Sequence, residues 1–244
     1  MVIHEKSYQG IGIAQLVHRR RLRRLFKIFQ HIPLDRKGTL ADFGCSNGYI
    51  ISLLKMQFFH DREYRFYGFD HSNDLLKMAA DRQIPEAEFQ FFNLNIIDKT
   101  WENRFDITIC LETLEHVGNV ENAMQNLYLS CRKNGIIIIS IPNEKGLPGI
   151  IKYFGRKIQR KEVYGDFFKD KNELDYIKHL FLNRPLDLFR QPTADSWGPH
   201  LGFDWKVFKR HLEDRYTHTG RLKFLLRLGS PVSFSFFYVL EKIG

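Results

Sequence analysis

A chain of 244 residues with 43% hydrophobic and 27% charged residues has enough apolar side chains to close a core, and its composition excludes a fibrous or disordered class. The net charge of +9 and pI near 9.4 favour an anionic partner, whether nucleic acid, lipid headgroup or phosphorylated molecule. Three scattered cysteines, Cys45, Cys110 and Cys131, exclude a disulfide framework and suit a reducing cytoplasm, while the longest apolar runs, "GIIIISI" and "SFFYVL", are far shorter than the ~20 residues of a membrane span.

In chain order, "HRRRLRRLFKIF" sets Leu22, Leu25, Phe26 and Phe29 at helical spacing, with Arg19, Arg20, Arg21, Arg23, Arg24 and Lys27 over the remaining surface. This predicts a basic amphipathic helix within an N-terminal lid, residues 1–34. "TLADFGCSNGYIISLL" then reads as a buried strand, a turn through Gly44 and Gly48, and an amphipathic helix. Strands are expected over 64–70, 87–95, 105–112 and 136–142. Helices are expected over 72–82, capped by Ser72, and over 120–135, ended by Asn134-Gly135.

Strands alternating with helices predict right-handed crossovers and a doubly wound α/β sheet. From 143 to 203 the alternation gives way to an aromatic and basic insertion. A helix over 204–215 and two strand-like runs, "RLKFLLRL" and "SFSFFYVLEK", close a single domain spanning 1–244.

In an open parallel sheet, ligands sit beyond the carboxyl ends of the strands, above all where the strand order reverses after the first strand. Gly44 and Gly48 allow the backbone to approach a ligand there and turn into a helix whose free amides face it. No lysine follows Gly48, which disfavours a P-loop, and Gly44-x-Ser46-x-Gly48 lacks the register of a dinucleotide fingerprint.

The segment Asp42-Phe43-Gly44-Cys45-Ser46-Asn47-Gly48 resembles motif I of the class I S-adenosylmethionine-dependent methyltransferases, an acidic residue followed by glycines at alternate positions, with Ser46 in place of the middle glycine. Asp70 in "GFDHS", followed by His71, falls where that family binds the ribose hydroxyls. Asn95 falls near the position that faces the adenine amino group, with Asn93 and Asp98 as other counterparts. "FDITICLETLEHV" resembles the family's fourth motif, especially in its quinone-biosynthesis group, which sets Leu111 and Glu112 beside the methionine arm.

The resemblance implies a Rossmann-like seven-stranded sheet, mostly parallel with a C-terminal antiparallel hairpin, and S-adenosyl-L-methionine as cofactor. Such a cofactor carries its own leaving group, so no metal is required, and no histidine or cysteine cluster has metal-ligand spacing. Base candidates are His116 in "LEHV" and His200 in "WGPH"; Tyr8 and Glu144 are candidate acceptor contacts.

The expected acceptor is a small, lipid-linked or glycan-linked molecule, methylated at oxygen by analogy with the quinone-biosynthesis enzymes. "LETL" is not the N-P-P-aromatic tetrad of base amine methylation, and Cys110 has no preceding proline. An RNA methyltransferase remains the alternative, as does a basic nucleic-acid or membrane-surface binding module with a vestigial cofactor pocket. In the insertion, Ile150, Ile151, Tyr153, Phe154 and Ile158 interleave with Lys152, Arg156, Lys157, Arg160 and Lys161. That pattern fits a lid helix packed on the pocket, or a helix making peripheral contact with an anionic membrane.

Overall fold

The computed structural model describes residues 13–158, 172–190 and 201–244. Seven strands form one sheet in the order β3-β2-β1-β4-β5-β7-β6. β1 (Lys37–Phe43), β2 (Glu63–Asp70), β3 (Ala87–Phe91), β4 (Phe105–Leu111) and β5 (Cys131–Pro142) are parallel, and β7 (Ser235–Lys242) runs antiparallel between β5 and β6 (Leu222–Leu228). The doubly wound sheet with a terminal hairpin is therefore as expected. Chain order reverses at β1, which pairs with β2 on one side and β4 on the other.

The central strands read as unbroken apolar runs because both sheet faces are covered. Along β5, Ile136 and Ile138 join one core with Leu25, Ile28 and Phe29 of α1 (Ile13–His31) and Ile51 and Leu54 of α2 (Tyr49–Phe58). Ile137, Ile139 and Ile141 face the other, with Met124 and Leu127 of α4 (Val120–Ser130) and Phe208 and Leu212 of α7 (Trp205–Leu212). Phe43 and Phe69 stack in that second core with centroids 4.7 Å apart. α3 (Asn73–Ala80) is capped by the Ser72 hydroxyl, which accepts from the Leu75 amide.

Two expectations need correction. The helix read to Gly135 ends at Ser130, and Asn134-Gly135 instead serves an irregularity inside β5: Phe105 pairs with Cys131, but Ile107 pairs with Ile136. Asn134 takes φ 60°, and a β-carbon on Gly135 would lie 2.7 Å from the Cys131 sulfur. The same two residues that cap helices also supply the left-handed step of a bulge. The strand read over 87–95 stops at Phe91, because the next residues form a loop pinned by asparagines.

Between β5 and β6, α5 (Gly146–Ile158) and α6 (Glu173–Phe181) pack through Tyr153, Tyr176, Leu180, Leu186 and Phe189 into a third, small core. Its base is fixed by an almost fully buried ion pair of 2.6 Å between Lys145 and Asp204, whose carboxylate also accepts from the Leu186 and Lys206 amides.

Candidate active site

The turn after β1 is fastened to β2 by its own amides. Gly44 and Cys45 donate to the Phe69 carbonyl at 2.7 and 3.0 Å, and Ser46 donates to Asp70 Oδ2 at 2.9 Å. Gly44 sits at φ 87°, and a β-carbon there would fall 2.1 Å from Thr113 Oγ1, so this position admits no side chain. Gly48, at φ 72°, caps the start of α2. Ser46 adopts the same left-handed region, at φ 51°, in spite of its side chain.

Asp70 ends β2 and is 7% exposed. Burial pushes its carboxyl upward, but hydrogen bonds from His71 and from the Ser72 and Ser46 amides, with the His71 charge, outweigh it and hold the group below the usual carboxylate range. Asp42, one strand away, behaves oppositely: burial and the nearby Asp70 charge push it up to about 8. The two acids thus divide, one ionised and one neutral at neutral pH.

A cleft opens on either side of Gly44. The first lobe has Asp70, His71 and Ser46 on one wall, Phe92, Leu94 and Leu75 as apolar surfaces, and Glu112, Thr113 and His116 from the end of β4 opposite. The second lies under α1, with Arg21, Leu22 and Leu25 over Asp42, Cys45, Tyr49 and Leu111. Arg21 Nη2 reaches Glu112 Oε2 at 2.9 Å, linking the lobes, and Ser140 Oγ donates to Glu112 Oε1 at 3.1 Å.

Most motif residues singled out in the sequence come together here. Asp42, Gly44, Cys45, Ser46, Asp70, His71, Leu111, Glu112 and His116 line one lobe or the other. Asn47 is buried against the turn, its side-chain amide lacking a hydrogen-bond partner while its carbonyl accepts from Arg82 Nε at 2.6 Å. Asn95 lines neither lobe: its Oδ1 accepts from the Asn119 amide at 2.8 Å and its Nδ2 donates to Asn93 Oδ1. Glu144 is buried against Lys152 at 3.0 Å, outside both lobes. Tyr8 and His200 lie outside the described residues.

Sequence reasoning missed Arg21, which it counted with the surface arginines although its side chain is only 12% exposed. It also passed over Glu115, buried at 2% exposure and 4.0 Å from His116 Nε2. Burial and the adjacent Glu112 charge push that carboxyl well above its ordinary value, and Oε2 has no hydrogen-bond partner. Charge pattern alone gave no signal for either residue, since inward and outward arginines look alike in a basic run. Among the described residues no histidine, cysteine and carboxylate cluster could hold a metal ion.

A family model described as "Methyltransferase domain" matches residues 16–193. The chain belongs to that family, and its fold is that of the class I S-adenosylmethionine-dependent methyltransferases. Among curated relatives, the ubiquinone biosynthesis O-methyltransferase of Rickettsia bellii (strain OSU 85-389) is 32% identical over 169 residues, or 61% of this chain and 67% of that protein. The enzyme of the same name from Rickettsia prowazekii (strain Madrid E) is 30% identical over 112 residues, 44% of this chain and 41% of its own. Among solved structures, magnesium protoporphyrin IX methyltransferase from Synechocystis PCC 6803 with bound SAH aligns with a TM-score of 0.57 at 13% identity, covering 98% of this chain and 92% of the other. Geranyl diphosphate methyltransferase in complex with GPP and sinefungin aligns with a TM-score of 0.57 at 10% identity, covering 93% and 80%. At such identities these two speak for the fold.

Proposed function

We propose that this methyltransferase moves the methyl group of S-adenosylmethionine to an oxygen of a small molecule. The observation that carries the cofactor's placement is Asp70, buried and ionised at the tip of β2 beside a glycine turn that no side chain could occupy. A carboxylate there accepts from two ribose hydroxyls at once. Phe92 and Leu94 offer the adenine apolar surfaces, and Arg21 with Asp42 lines the lobe suited to the amino acid end. Ser46 lines the first lobe with its hydroxyl unpartnered, which fits a polar ligand, since buried polar groups are otherwise satisfied.

The bound cofactor supplies an electrophilic methyl on a sulfonium. The chain's own share is alignment, exclusion of water and removal of one proton. His116 sits on the cleft wall, which makes it the first candidate to take the acceptor's hydroxyl proton as the O–C bond forms and the C–S bond breaks. The oxygen acceptor is supported by the name shared by the curated relatives, ubiquinone biosynthesis O-methyltransferase.

Incubation with methyl-labelled cofactor and separate pools of hydroxyl-bearing small molecules, lipid-linked molecules, glycans and RNA tests the reading. Label is expected on an oxygen of a small or lipid-linked acceptor, with transfer reduced at least tenfold in His116→Ala. Label confined to RNA would overturn the acceptor class.

A further inference from the structure

A separate cavity lies between α1 and the loop that joins β6 to β7, lined by Val17, Arg20, Arg21 and Arg24 on the helix side and by residues 232–235 on the other. On a helix, positions 17, 20, 21 and 24 fall within one arc of about 100°, so the three arginines share the face that lines this space. Among the described residues, none of those lining it is acidic. Arg21 sends Nη2 to Glu112 in the neighbouring cleft, whereas Arg20 has no carboxylate partner among the described residues.

The opposite wall is tied to the helix. Arg24 Nη1 donates to the Ser235 carbonyl at 2.9 Å, and Nη2 donates to Ser233 Oγ at 3.1 Å. Ser235 is 3% exposed, and its hydroxyl has no hydrogen-bond partner. That hydroxyl is left for an ordered water or a polar ligand to satisfy. Burial, and then the Arg20 charge, lower the Arg24 proton affinity, so positive charge is crowded here.

We propose that this cavity binds a phosphate-class anion carried by the methyl acceptor, an assignment that rests on the methyl-transfer reading above. A single carboxylate is matched by one bidentate arginine, whereas several guanidiniums with serine hydroxyls suit the oxygens of a phosphate or diphosphate. The position fits an acceptor subsite. Ser235 pairs with Pro142, the last residue of β5, so the cavity opens at the carboxyl edge of the parallel strands, and Arg21 lines both it and the lobe under α1.

The test is calorimetric titration of inorganic pyrophosphate and inorganic phosphate into the full chain, with and without S-adenosylhomocysteine, at low salt. Saturable pyrophosphate binding is expected, weakened about tenfold in Arg20→Ala and severalfold in Ser235→Ala, as for lost charge-assisted and neutral hydrogen bonds. S-Adenosylhomocysteine affinity and the thermal midpoint should be unchanged in Arg20→Ala, which separates this site from the cofactor cleft. Flotation with phosphatidylglycerol vesicles distinguishes the sources. Capture that pyrophosphate competes away and Arg20→Ala loses assigns the anion to a lipid-borne acceptor, and pyrophosphate binding without capture assigns it to a soluble one. Absence of saturable pyrophosphate binding, equal binding in both variants, or RNA binding that grows with length and ignores Ser235→Ala would overturn the proposal. Failure of the chain to bind S-adenosylhomocysteine would overturn the cofactor reading instead.

Discussion

Ser46 holds a backbone conformation, φ 51°, in which a β-carbon costs about 1–2 kcal/mol, and its hydroxyl finds no partner in the protein. Ser46→Gly is therefore expected to raise stability by about 1 kcal/mol in urea titration. Gly44→Ala is expected to do the reverse, because its β-carbon would overlap Thr113 Oγ1. Asp42 gives a pH signature. Its carboxyl rises from 3.8 to about 8 on folding, so the folded chain keeps a proton that the unfolded chain releases. Stability contributed by this group is full below its unfolded value and is lost as pH climbs toward about 8. Asp42→Asn should flatten that part of the decline in thermal midpoint, and a decline identical to that of the unaltered protein would show that Asp42 does not titrate there. At this scale the sequence shows which residue types gather at the turn, because their spacing is local. The inward turn of Arg21 was not legible: it depends on how α1 rolls over the sheet, and the burial of Leu25, Ile28 and Phe29 sets that roll.

At the scale of elements, the insertion between β5 and β6 is held to the sheet by Lys145 and Asp204, 4% and 2% exposed in their side chains. Breaking a buried pair leaves an uncompensated charge, so Lys145→Met and Asp204→Ala are each expected to lose about 3 kcal/mol or more. Asp204→Ala also removes the cap of α7, whose Lys206 amide its Oδ1 accepts at 2.9 Å. Urea midpoints equal to that of the unaltered chain would deny the pair this role. Strands and helices up to Phe91 were legible from apolar periodicity and capping residues. The α4–β5 boundary was not, because Asn134-Gly135 serves a bulge as readily as a helix end, and only the pairing of Ile107 with Ile136 decides between them. Asn95 does follow β3, as its spacing implied, but its side-chain bonds to Asn93 and to Asn119, at the cap of α4, could not be read from spacing.

In the whole molecule, sheet order brings together residues far apart in the chain. Reversal at β1 sets Gly44 between Asp70, at the end of β2, and Glu112, beyond β4. α1 then closes over the same point with Arg21, and the start of β7 adds Ser235 on the far side. The order of motifs along the chain was enough to read the family; the arginine-lined cavity was not, since its walls come from α1 and residues 232–235, which meet only in three dimensions.

The central claim is that the cleft beside Gly44 holds S-adenosylmethionine through Asp70. Calorimetry with S-adenosylhomocysteine on the unaltered chain and on Asp70→Ala tests it most directly. One site per chain is expected, weakened at least tenfold, about 1.4 kcal/mol, in the variant while the thermal midpoint confirms folding. No binding by the unaltered chain, or equal affinity in Asp70→Ala, would contradict it.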